Sequence, residues 1–551
     1  MASEPLPQEI ILLLCEELAA RRDFDTLFQC SLSSRRVARI ALEKLYSIQD
    51  FSLVSTGETH NGLKWSRLWR SIILSSTGSA TAYPYCVYVR LLSFGNFEEC
   101  LYDMLRDPGL RDSFFEGPMQ QLLGLQNPIG VLQLTPRDRK AIMVKCADSI
   151  TAYIKRFADE TETTAALAHL EGVYFPHDLL PNWISRLGNL TSLRIRDGSV
   201  LGVEAAKAIS ECCPHFVDLT CYYYHSSNAD EDLAAFFQTL RPNSLQSFEI
   251  ISQNGIGEQA LTALNAHATS LRSLILGSLP PQGIMALSSL ASCTALEVLS
   301  IENDAHNLRS MADMEEVLRE VSAWISSCKS LRHLSFYHFL SILPVVKDVL
   351  GAPDIRLQSL SIVDFLYHDP GEATWVALGT QDRLESLTIG LHNRSIDGFS
   401  VRQGSLLADS ILKLKSLTTL NLIMASIDLS TVQHLPEALP NLVEFSFSGD
   451  NVDDSILGPL SNLPQLKLLS INAPSSFSYS GLFDFVQKLA ATPDREGIRI
   501  DILNQHGYPF DQEENDILRD FMADELKGRI DITYTNHPDD LHEEDFTDFS
   551  D

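Results

Sequence analysis

The sequence predicts an α/β fold in which a horseshoe-shaped solenoid, built of short parallel strands plus helices, follows a short helical segment. Three observations support this prediction: a leucine-based pattern that recurs along the chain, helix-like segments between its copies, and the length of the chain. At 551 residues, the chain exceeds the size at which one compact core usually stops growing. Hydrophobic residues make up 45% and charged residues 21%, which favours a packed interior. We therefore expect a repeat array or several domains.

The dominant regularity is the pattern Leu-x-x-Leu-x-apolar, in which phenylalanine sometimes replaces an anchoring leucine. Its copies begin at Leu190, Phe216, Leu245, Leu271, Leu296, Leu331, Leu357, Leu384, Leu417, Leu442 and Leu466. Neighbouring copies are separated by between 24 residues (Leu442 to Leu466) and 35 residues (Leu296 to Leu331). This spacing is typical of stacked repeats, in which one short strand plus a return segment buries its apolar edge against its neighbours.

The return segments between the copies are predicted to be helical. In residues 230–240, acidic residues precede apolar residues at spacings of three and four, and acidic side chains favour a helix N-terminus. The longest interval contains Val317, Val321 and Trp324 at helical spacing. Residues 97–160 are also expected to be helical. A strand, a helix and a second strand within residues 498–534 are expected to cover the last repeat, because a solenoid needs caps.

The positions of cysteine residues narrow the type of repeat. Cys213, Cys293 and Cys328 each lie three residues before a first anchor. The array, from about residue 167 to about residue 475, resembles leucine-rich-repeat proteins, and more narrowly the cysteine-containing repeats common in F-box proteins of the fungal type. This resemblance implies a leucine-rich-repeat solenoid that holds a partner protein.

Residues 6–46 carry a second resemblance. They open with Leu6 and Pro7, continue through an amphipathic run and end at Tyr46. The segment resembles the F-box, a three-helix unit whose apolar face docks on the Skp adaptor, which in turn holds a cullin. By this resemblance the docking residues are Leu6, Pro7, Ile10, Leu14, Leu18, Phe24, Leu27, Cys30 and Leu32. Val37 stands where the family usually has tryptophan, so the adaptor contact is expected to be weaker or differently packed.

The size of this segment gives a physical reason for a partner. About 40 residues with apolar positions on more than one face are too few to be stable alone without a partner or a covalent staple. A helical partner would supply the missing burial. The alternative interpretation is a plain N-terminal cap on the solenoid.

The predicted domain order follows from these patterns. It comprises an F-box at 1–50, a helical linker at 51–82, an irregular N-terminal solenoid region at 83–166, leucine-rich repeats at 167–497, a C-terminal cap at 498–535 and an acidic disordered tail at 536–551. The tail is rich in aspartate and glutamate with little that could pack, so we interpret it as solvated. A binding motif in the tail is the alternative.

The solenoid strands provide the candidate partner-binding residues. The leucine anchors point inward, so the positions between them project from the concave face. Small hydroxyl side chains dominate there, which also suits crowded strand positions. The bulkier candidates, of types that tend to anchor protein interfaces, are Arg194, Arg196, Tyr222, His333 and Tyr337. Arg194 and Arg196 could also pair with a phosphate on a modified partner.

Composition and motif searches disfavour several other classes of function. A net charge of −30 disfavours nucleic-acid binding, which depends on clustered lysine and arginine. The sequence contains no run of about 18 apolar residues for a membrane span. Cys212, Cys213, His215 and Cys221 superficially suggest zinc, but repeat position explains the cysteines better, and we expect no metal. The ten scattered cysteines and the lack of a signal sequence favour the cytoplasm or nucleus.

The sequence thus predicts a non-catalytic protein with no cofactor. The first interpretation is that the chain is the substrate-recognition subunit of a Skp-cullin-F-box ubiquitin ligase. In this interpretation the F-box docks the Skp adaptor and the repeats bind an unknown target protein. The chain would then promote ubiquitin transfer by proximity alone, because tethering raises the effective concentration of the target near the transferring enzyme. The alternatives are a leucine-rich-repeat scaffold that binds the adaptor without ligase output, and a leucine-rich GTPase activator, which would leave the F-box unexplained.

Overall fold

The structure is a computed structural model in which the chain divides into two compact units, Met1–Leu271 and Arg272–Asp551, here called the first and the second unit. It describes residues 6–47, 62–77, 81–123, 135–304, 315–366, 371–392, 401–425, 428–448, 452–492, 495–505 and 509–534. The predicted acidic tail at 536–551 lies outside the described residues, as do residues 51–61 and 78–80 of the predicted linker.

The first unit begins with three short helices. They are α1 (Gln8–Ala20), α2 (Phe24–Ser33) and α3 (Arg35–Ser47). The Asp23 side chain caps α2 by accepting a hydrogen bond from the Thr26 backbone N–H at 3.0 Å. The extended backbone of Ser34 separates α2 from α3. The three helices enclose a small core made of Ile11, Cys15, Leu27, Ile40 and Ala41.

A second group of helices links this segment to the strands of the first unit. It contains α4 (Gly62–Ser75), α5 (Phe94–Arg106), α6 (Pro108–Phe115), α7 (Pro118–Leu123) and α8 (Pro136–Thr161). Helix α3 is anchored to this group by Tyr46, whose hydroxyl lies 2.6 Å from the Ser71 hydroxyl and whose ring stacks on Tyr85 at 4.8 Å between centroids. The helices predicted within residues 97–160 are therefore present in the described residues.

Five parallel strands follow each other in order in the first unit. They are β1 (Leu91–Ser93), β2 (His169–Gly172), β3 (Ser192–Asp197), β4 (Asp218–Tyr223) and β5 (Ser247–Ile250). The return helices are α9 (Leu180–Ser185), α10 (Val203–Cys212), α11 (Ala229–Thr239) and α12 (Glu258–Leu264). One buried row crosses every strand, through Leu92, Leu170, Leu193, Leu219 and Phe248. Successive side chains along a strand point to opposite faces of the sheet, so the residues next to these anchors point away from the interior.

The second unit continues the strand-and-helix pattern. Its main sheet contains β6 (Ser273–Leu279), β7 (Val298–Asn303), β8 (His333–Tyr337), β9 (Ser359–Phe365), β10 (Ser386–Leu391), β11 (Thr419–Ile423), β12 (Glu444–Ser448), β14 (Leu468–Ile471), β16 (Arg499–Leu503) and β17 (Arg529–Thr533), and a separate pair is formed by β13 (Val452–Asp453) and β15 (Ser475–Ser476). The helices are α13 (Pro281–Met285), α14 (Glu315–Ser327), α15 (Leu343–Gly351), α16 (Gly371–Leu378), α17 (Val401–Ile411), α18 (Leu429–Ala438), α19 (Leu457–Ser461), α20 (Tyr479–Ala490) and α21 (Gln512–Leu526).

The anchors of the second unit form an unbroken apolar row across the main sheet. Each residue of the row is 2% exposed or less: Leu274, Leu299, Leu334, Leu360, Leu387, Leu420, Phe445, Leu469, Ile500 and Ile530. The strand, helix and second strand predicted within residues 498–534 are present as β16, α21 and β17. Each unit therefore shows the predicted leucine-rich-repeat fold, in which stacking supplies the burial that one repeat lacks.

In three repeats, a side chain three or four residues before the first anchor ties the repeat to the preceding one. In the first unit, the Cys213 thiol donates to the Leu187 carbonyl at 3.4 Å, and His267 Nε2 lies 3.2 Å from the Phe237 carbonyl. In the second unit, Gln381 Nε2 donates to the Leu350 carbonyl at 3.0 Å. Cysteine, histidine and glutamine serve this role alike, because each can donate to a carbonyl in or just after the last turn of the previous helix.

A second tie between repeats uses a carboxylate. Asp230 at the start of α11 accepts hydrogen bonds from the backbone N–H groups of Gly257 and Ala260, both at 2.8 Å, and so caps α12 of the next repeat. A side chain at Gly257 would meet this carboxylate at 2.8 Å, so only glycine leaves room for the cap. Among the described helices, none is long and apolar enough to cross a membrane.

Candidate protein-binding surfaces

Helix α1, together with Leu6 just before it, carries a strip of exposed apolar side chains beside the face that is buried. Ile11 and Cys15 point into the small core, whereas Leu6, Ile10, Leu13 and Leu14 are 42% to 59% exposed. The last three lie at spacings of three and four residues and therefore share one side of the helix. We call these four residues the α1 strip. It is an apolar surface that the segment itself does not cover.

Helix α2 adds a shorter strip. Phe28 and Leu32 are four residues apart and are 49% and 66% exposed, respectively. We call these two residues the α2 strip. Leu27 and Cys30, on the neighbouring side of the helix, pack into the same core as α1. Both strips therefore lie on helices whose other sides share one small core.

The structure separates the nine predicted docking residues into three groups. Leu6, Pro7, Ile10, Leu14 and Leu32 are exposed, Leu18, Phe24 and Cys30 are half-buried, and Leu27 is fully buried. The helical phase of α2 turns Leu27 into the core, so in this conformation it supports the surface and cannot touch a partner. Leu13 and Phe28 are exposed on the same strips but were not among the predicted residues, although the spacing of each from a predicted neighbour, Ile10 or Leu32, could have indicated them.

The outward face of the strands in the first unit carries large and charged side chains. Arg194 is exposed between the buried anchors Leu193 and Ile195 of β3, and Arg196 is exposed directly after Ile195. Tyr222 is 41% exposed on β4, level with Arg196. Ile251, which directly follows β5, is also 41% exposed, and its backbone N–H donates to the Cys221 carbonyl on β4 at 3.0 Å. The structure thus brings three of the predicted partner-binding residues together and adds Ile251.

The corresponding face of the second unit has small side chains. The middle outward row runs through Ser300, Ser335, Ser361 and Thr388, in register on four consecutive strands. The two predicted partner-binding residues of this unit, His333 and Tyr337, are half-buried on β8. They therefore offer a partner less surface than the residues of the first unit.

A polar cluster lies at the ends of strands β7 to β10 in the second unit. His338 Nδ1 is 2.7 Å from the Asp364 carboxylate, and its Nε2 is 3.7 Å from that of Glu302; His392 Nε2 is 3.9 Å from Asp364. His338 and Asp364 both adopt positive φ, at 62° and 64°, a conformation that these residue types tolerate. Their contact holds two neighbouring strand ends together.

The chemistry of these groups gives no sign of a metal centre. Among the described residues, no group of three or more histidine, cysteine, aspartate and glutamate side chains could hold a metal ion. Burial raises the pKa of the Cys213 and Cys221 thiols to about 12, which keeps both protonated at neutral pH. They act as apolar or weakly donating groups inside the repeats.

A cavity of about 280 Å³ lies within the second unit, between β12, β14 and the helices that follow β11 and β13. Its walls are mainly apolar, and its polar groups include Asp428 and Asp453. Both carboxylates already cap helices, since Asp428 accepts from the Thr431 N–H and Asp453 from the Ser455 N–H. These two side chains are therefore engaged within the fold, and the exposed strips and strand face are the stronger candidates for function.

Comparisons with known proteins concern the fold. No protein-family model matches the chain, and no curated protein matches it. Solved structures that resemble it include an internalin from Listeria monocytogenes (16% identity, 62% of this chain and 81% of that chain, TM-score 0.33). Another is the yeast Rad7 and Elc1 complex (12% identity, 74% of this chain and 96% of that chain, TM-score 0.40). A third is the leucine-rich-repeat-containing protein LegL7 from Legionella pneumophila (12% identity, 58% of this chain and 97% of that chain, TM-score 0.30). At these identities the similarity concerns the fold alone.

Proposed function

We propose that this chain is the substrate-recognition subunit of a Skp-cullin-F-box ubiquitin ligase. In this proposal, residues 6–46 are an F-box that docks the Skp adaptor, and the leucine-rich repeats bind the target protein. The observation that carries it is the pair of apolar strips on α1 and α2. Six large apolar side chains are exposed there on a segment of three short helices.

The energetics of the strips favour a partner. Fully burying a side chain such as leucine or phenylalanine contributes about 1.5–3 kcal/mol, so six half-exposed ones could supply on the order of 5–9 kcal/mol. That amount is comparable with the cost of association, and additional polar contacts would complete a stable complex. Exposed apolar patches rimmed by polar residues are typical of protein interfaces.

The attachment of the segment also suits this role. Tyr46 is buried at the end of α3, where burial raises the pKa of its phenol, and it stacks on Tyr85 of the next part of the first unit. The Lys64 ammonium of α4 lies 2.9 Å from the Asp25 carboxylate of α2. The three helices are therefore packed onto the rest of the first unit, and a bound adaptor would be held at a defined place relative to the strands of that unit.

Co-purification tests the proposal. The full chain should bring down the Skp adaptor and a cullin, and the double variant Leu6→Ala and Pro7→Ala should retain less of both. Val376→Ser is the matched control, because Val376 is 61% exposed on α16 of the second unit, away from both strips in sequence. If neither the chain nor the control recovers the adaptor, residues 1–50 are a plain cap.

A reconstituted ubiquitin-transfer assay separates the proposal from its alternative. A ligase receptor should shorten the lifetime of the protein that the repeats bind and should support ubiquitin transfer to it when adaptor and cullin are present. A scaffold without ligase output would bind the adaptor, but the lifetime of its partner would not change when this chain is removed.

A further inference from the structure

The first unit presents one outward-facing patch in which cationic and apolar side chains lie side by side. It consists of Arg194, Arg196, Tyr222 and Ile251, here called the Arg-Tyr patch. Register places Arg194 beside Thr220 and places Asp197 beside Tyr223, so Arg196 lies level with Tyr222. Neighbouring strands are about 4.8 Å apart, so the patch spans three strands and about 10 Å. This size suits a short extended peptide segment.

The two arginines are available to an external anion. Within the described part of the chain, neither Arg194 nor Arg196 forms an ion pair, whereas Arg186 of the same unit lies 2.7 Å from the Asp148 carboxylate. The two guanidinium groups extend from the same strand face and repel each other when no anion lies between them. A carboxylate or phosphate would relieve this repulsion and accept hydrogen bonds from both groups.

Most carboxylates near the patch are engaged within the chain. Asp218 accepts from the Ser192 hydroxyl at 2.8 Å, Asp197 accepts from the Ser199 N–H at 3.0 Å, and Glu249 accepts from the Thr220 hydroxyl at 3.2 Å. Glu171 lies next to Arg194 across β2 and β3 and is the remaining acid in that row. Arg196 on β3, Tyr222 on β4 and Ile251 directly after β5 lie side by side. The cationic half of the patch therefore adjoins the apolar half at Arg196 and Tyr222.

We propose that the Arg-Tyr patch binds an extended segment of the target protein in which an acidic side chain lies one or two residues from a large apolar one. The acidic group pairs with Arg194 and Arg196, and the apolar group covers Tyr222 and Ile251. Tyrosine and arginine are among the residue types that are enriched at the energetic hot spots of protein interfaces. This inference rests on the proposed function, since it names the chemistry of the segment that the repeats capture. The acidic group is a carboxylate or a phosphate.

The test uses the full chain and fluorescein-labelled peptides of 12 residues, with binding measured by fluorescence anisotropy. One peptide repeats Glu-Leu-Glu-Phe. A second replaces every glutamate by lysine, a third replaces the leucines and phenylalanines by serine, and a fourth replaces one glutamate by phosphoserine. The first peptide should bind about tenfold or more tightly than the second and third. Tighter binding of the fourth also supports the patch and identifies phosphate as the preferred anion.

Two variants divide the patch into its halves. Arg194→Glu with Arg196→Glu should weaken binding of the Glu-Leu-Glu-Phe peptide about tenfold or more, and Tyr222→Ala with Ile251→Ser about fivefold. Arg194, Arg196 and Tyr222 are exposed on strands and Ile251 is exposed directly after β5, so the fold should survive. Arg383→Glu, at an exposed arginine of the second unit, is the control and should change binding by less than about twofold.

Equal binding of the glutamate and lysine peptides, or unchanged binding by both patch variants, overturns the inference. Preferential binding of a 12-nucleotide oligouridine over all peptides overturns it as well, because the patch would then serve a nucleic acid. The patch variants should leave binding of the Skp adaptor unchanged. If the wild-type chain binds the adaptor but does not discriminate among the peptides, the patch alone is refuted. If it discriminates among the peptides but does not bind the adaptor, the proposed F-box alone is refuted.

Discussion

The helical segment at residues 8–47 and the strands of the second unit handle large apolar side chains in opposite ways. In the second unit, ten anchors form a row that is 2% exposed or less. In the helical segment, the buried core cluster contains five residues, while leucine and phenylalanine side chains line the outer sides of α1 and α2. The repeats obtain burial from one another, because each strand has a neighbour. The helical segment has apolar surface left over, which is expected of a part that is completed by a partner.

The largest expected effect comes from comparing one leucine of each region. Leu334→Ala should lower the free energy of unfolding by about 2–5 kcal/mol, because it removes a fully buried side chain and leaves a cavity. Leu14→Ala should change it by less than about 0.5 kcal/mol, because Leu14 is exposed in the free chain. Urea unfolding of both variants measures the difference. Equal losses of unfolding free energy would show that the α1 strip stabilises the fold, which would contradict the contrast drawn between the two regions.

A smaller effect tests how the repeats depend on their neighbours. Asp230→Ala removes the carboxylate that caps the helix of the next repeat and should cost about 1–3 kcal/mol of local stability. Hydrogen exchange of peptides from α11 and α12 should then become faster. Glu231→Ala is the matched control on the same helical turn, where the side chain is exposed. Similar exchange in both variants would contradict a carboxylate tie between repeats.

These ties show what the sequence could and could not predict. The leucine period predicted the strands, and the alternation of strand side chains predicted that Arg194 and Tyr222 face outward. The period did not indicate that Cys213 and His267 play the same role, because cysteine and histidine share only their ability to donate to a carbonyl. Likewise, the resemblance to the F-box placed Leu27 on the docking surface. The helical phase that buries it depends on how α2 packs on α1 and α3.

The smallest expected effect is a pH dependence in the first unit. His267 is buried, and burial lowers the pKa of its imidazole, although the Phe237 carbonyl opposes the shift. A histidine in the unfolded chain has a pKa of about 6.5, so acidification protonates the unfolded state first. The stability that neutral His267 contributes is therefore present above about pH 6.5 and is lost as the pH falls through its lowered folded-state value.

His267→Gln tests this dependence. Glutamine makes the equivalent hydrogen bonds at Gln381 in the second unit, so the variant should fold and should lose less stability than the wild-type chain between pH 7 and pH 5. Hydrogen exchange of residues 229–271 at several pH values measures the effect. His215→Gln, at an exposed histidine, should leave the profile unchanged. An unaltered profile in His267→Gln would show that the acid sensitivity arises elsewhere.

The central claim is that the α1 and α2 strips dock the Skp adaptor, and calorimetric titration of purified Skp adaptor into the full chain tests it most directly. The wild-type chain and the Val376→Glu control should bind the adaptor with the same affinity. The double variant Leu14→Glu and Leu32→Glu should bind at least about a hundredfold more weakly, because it would place two charges in an apolar interface. Equal binding by the double variant and the control would contradict the account, as would the absence of binding by the wild-type chain.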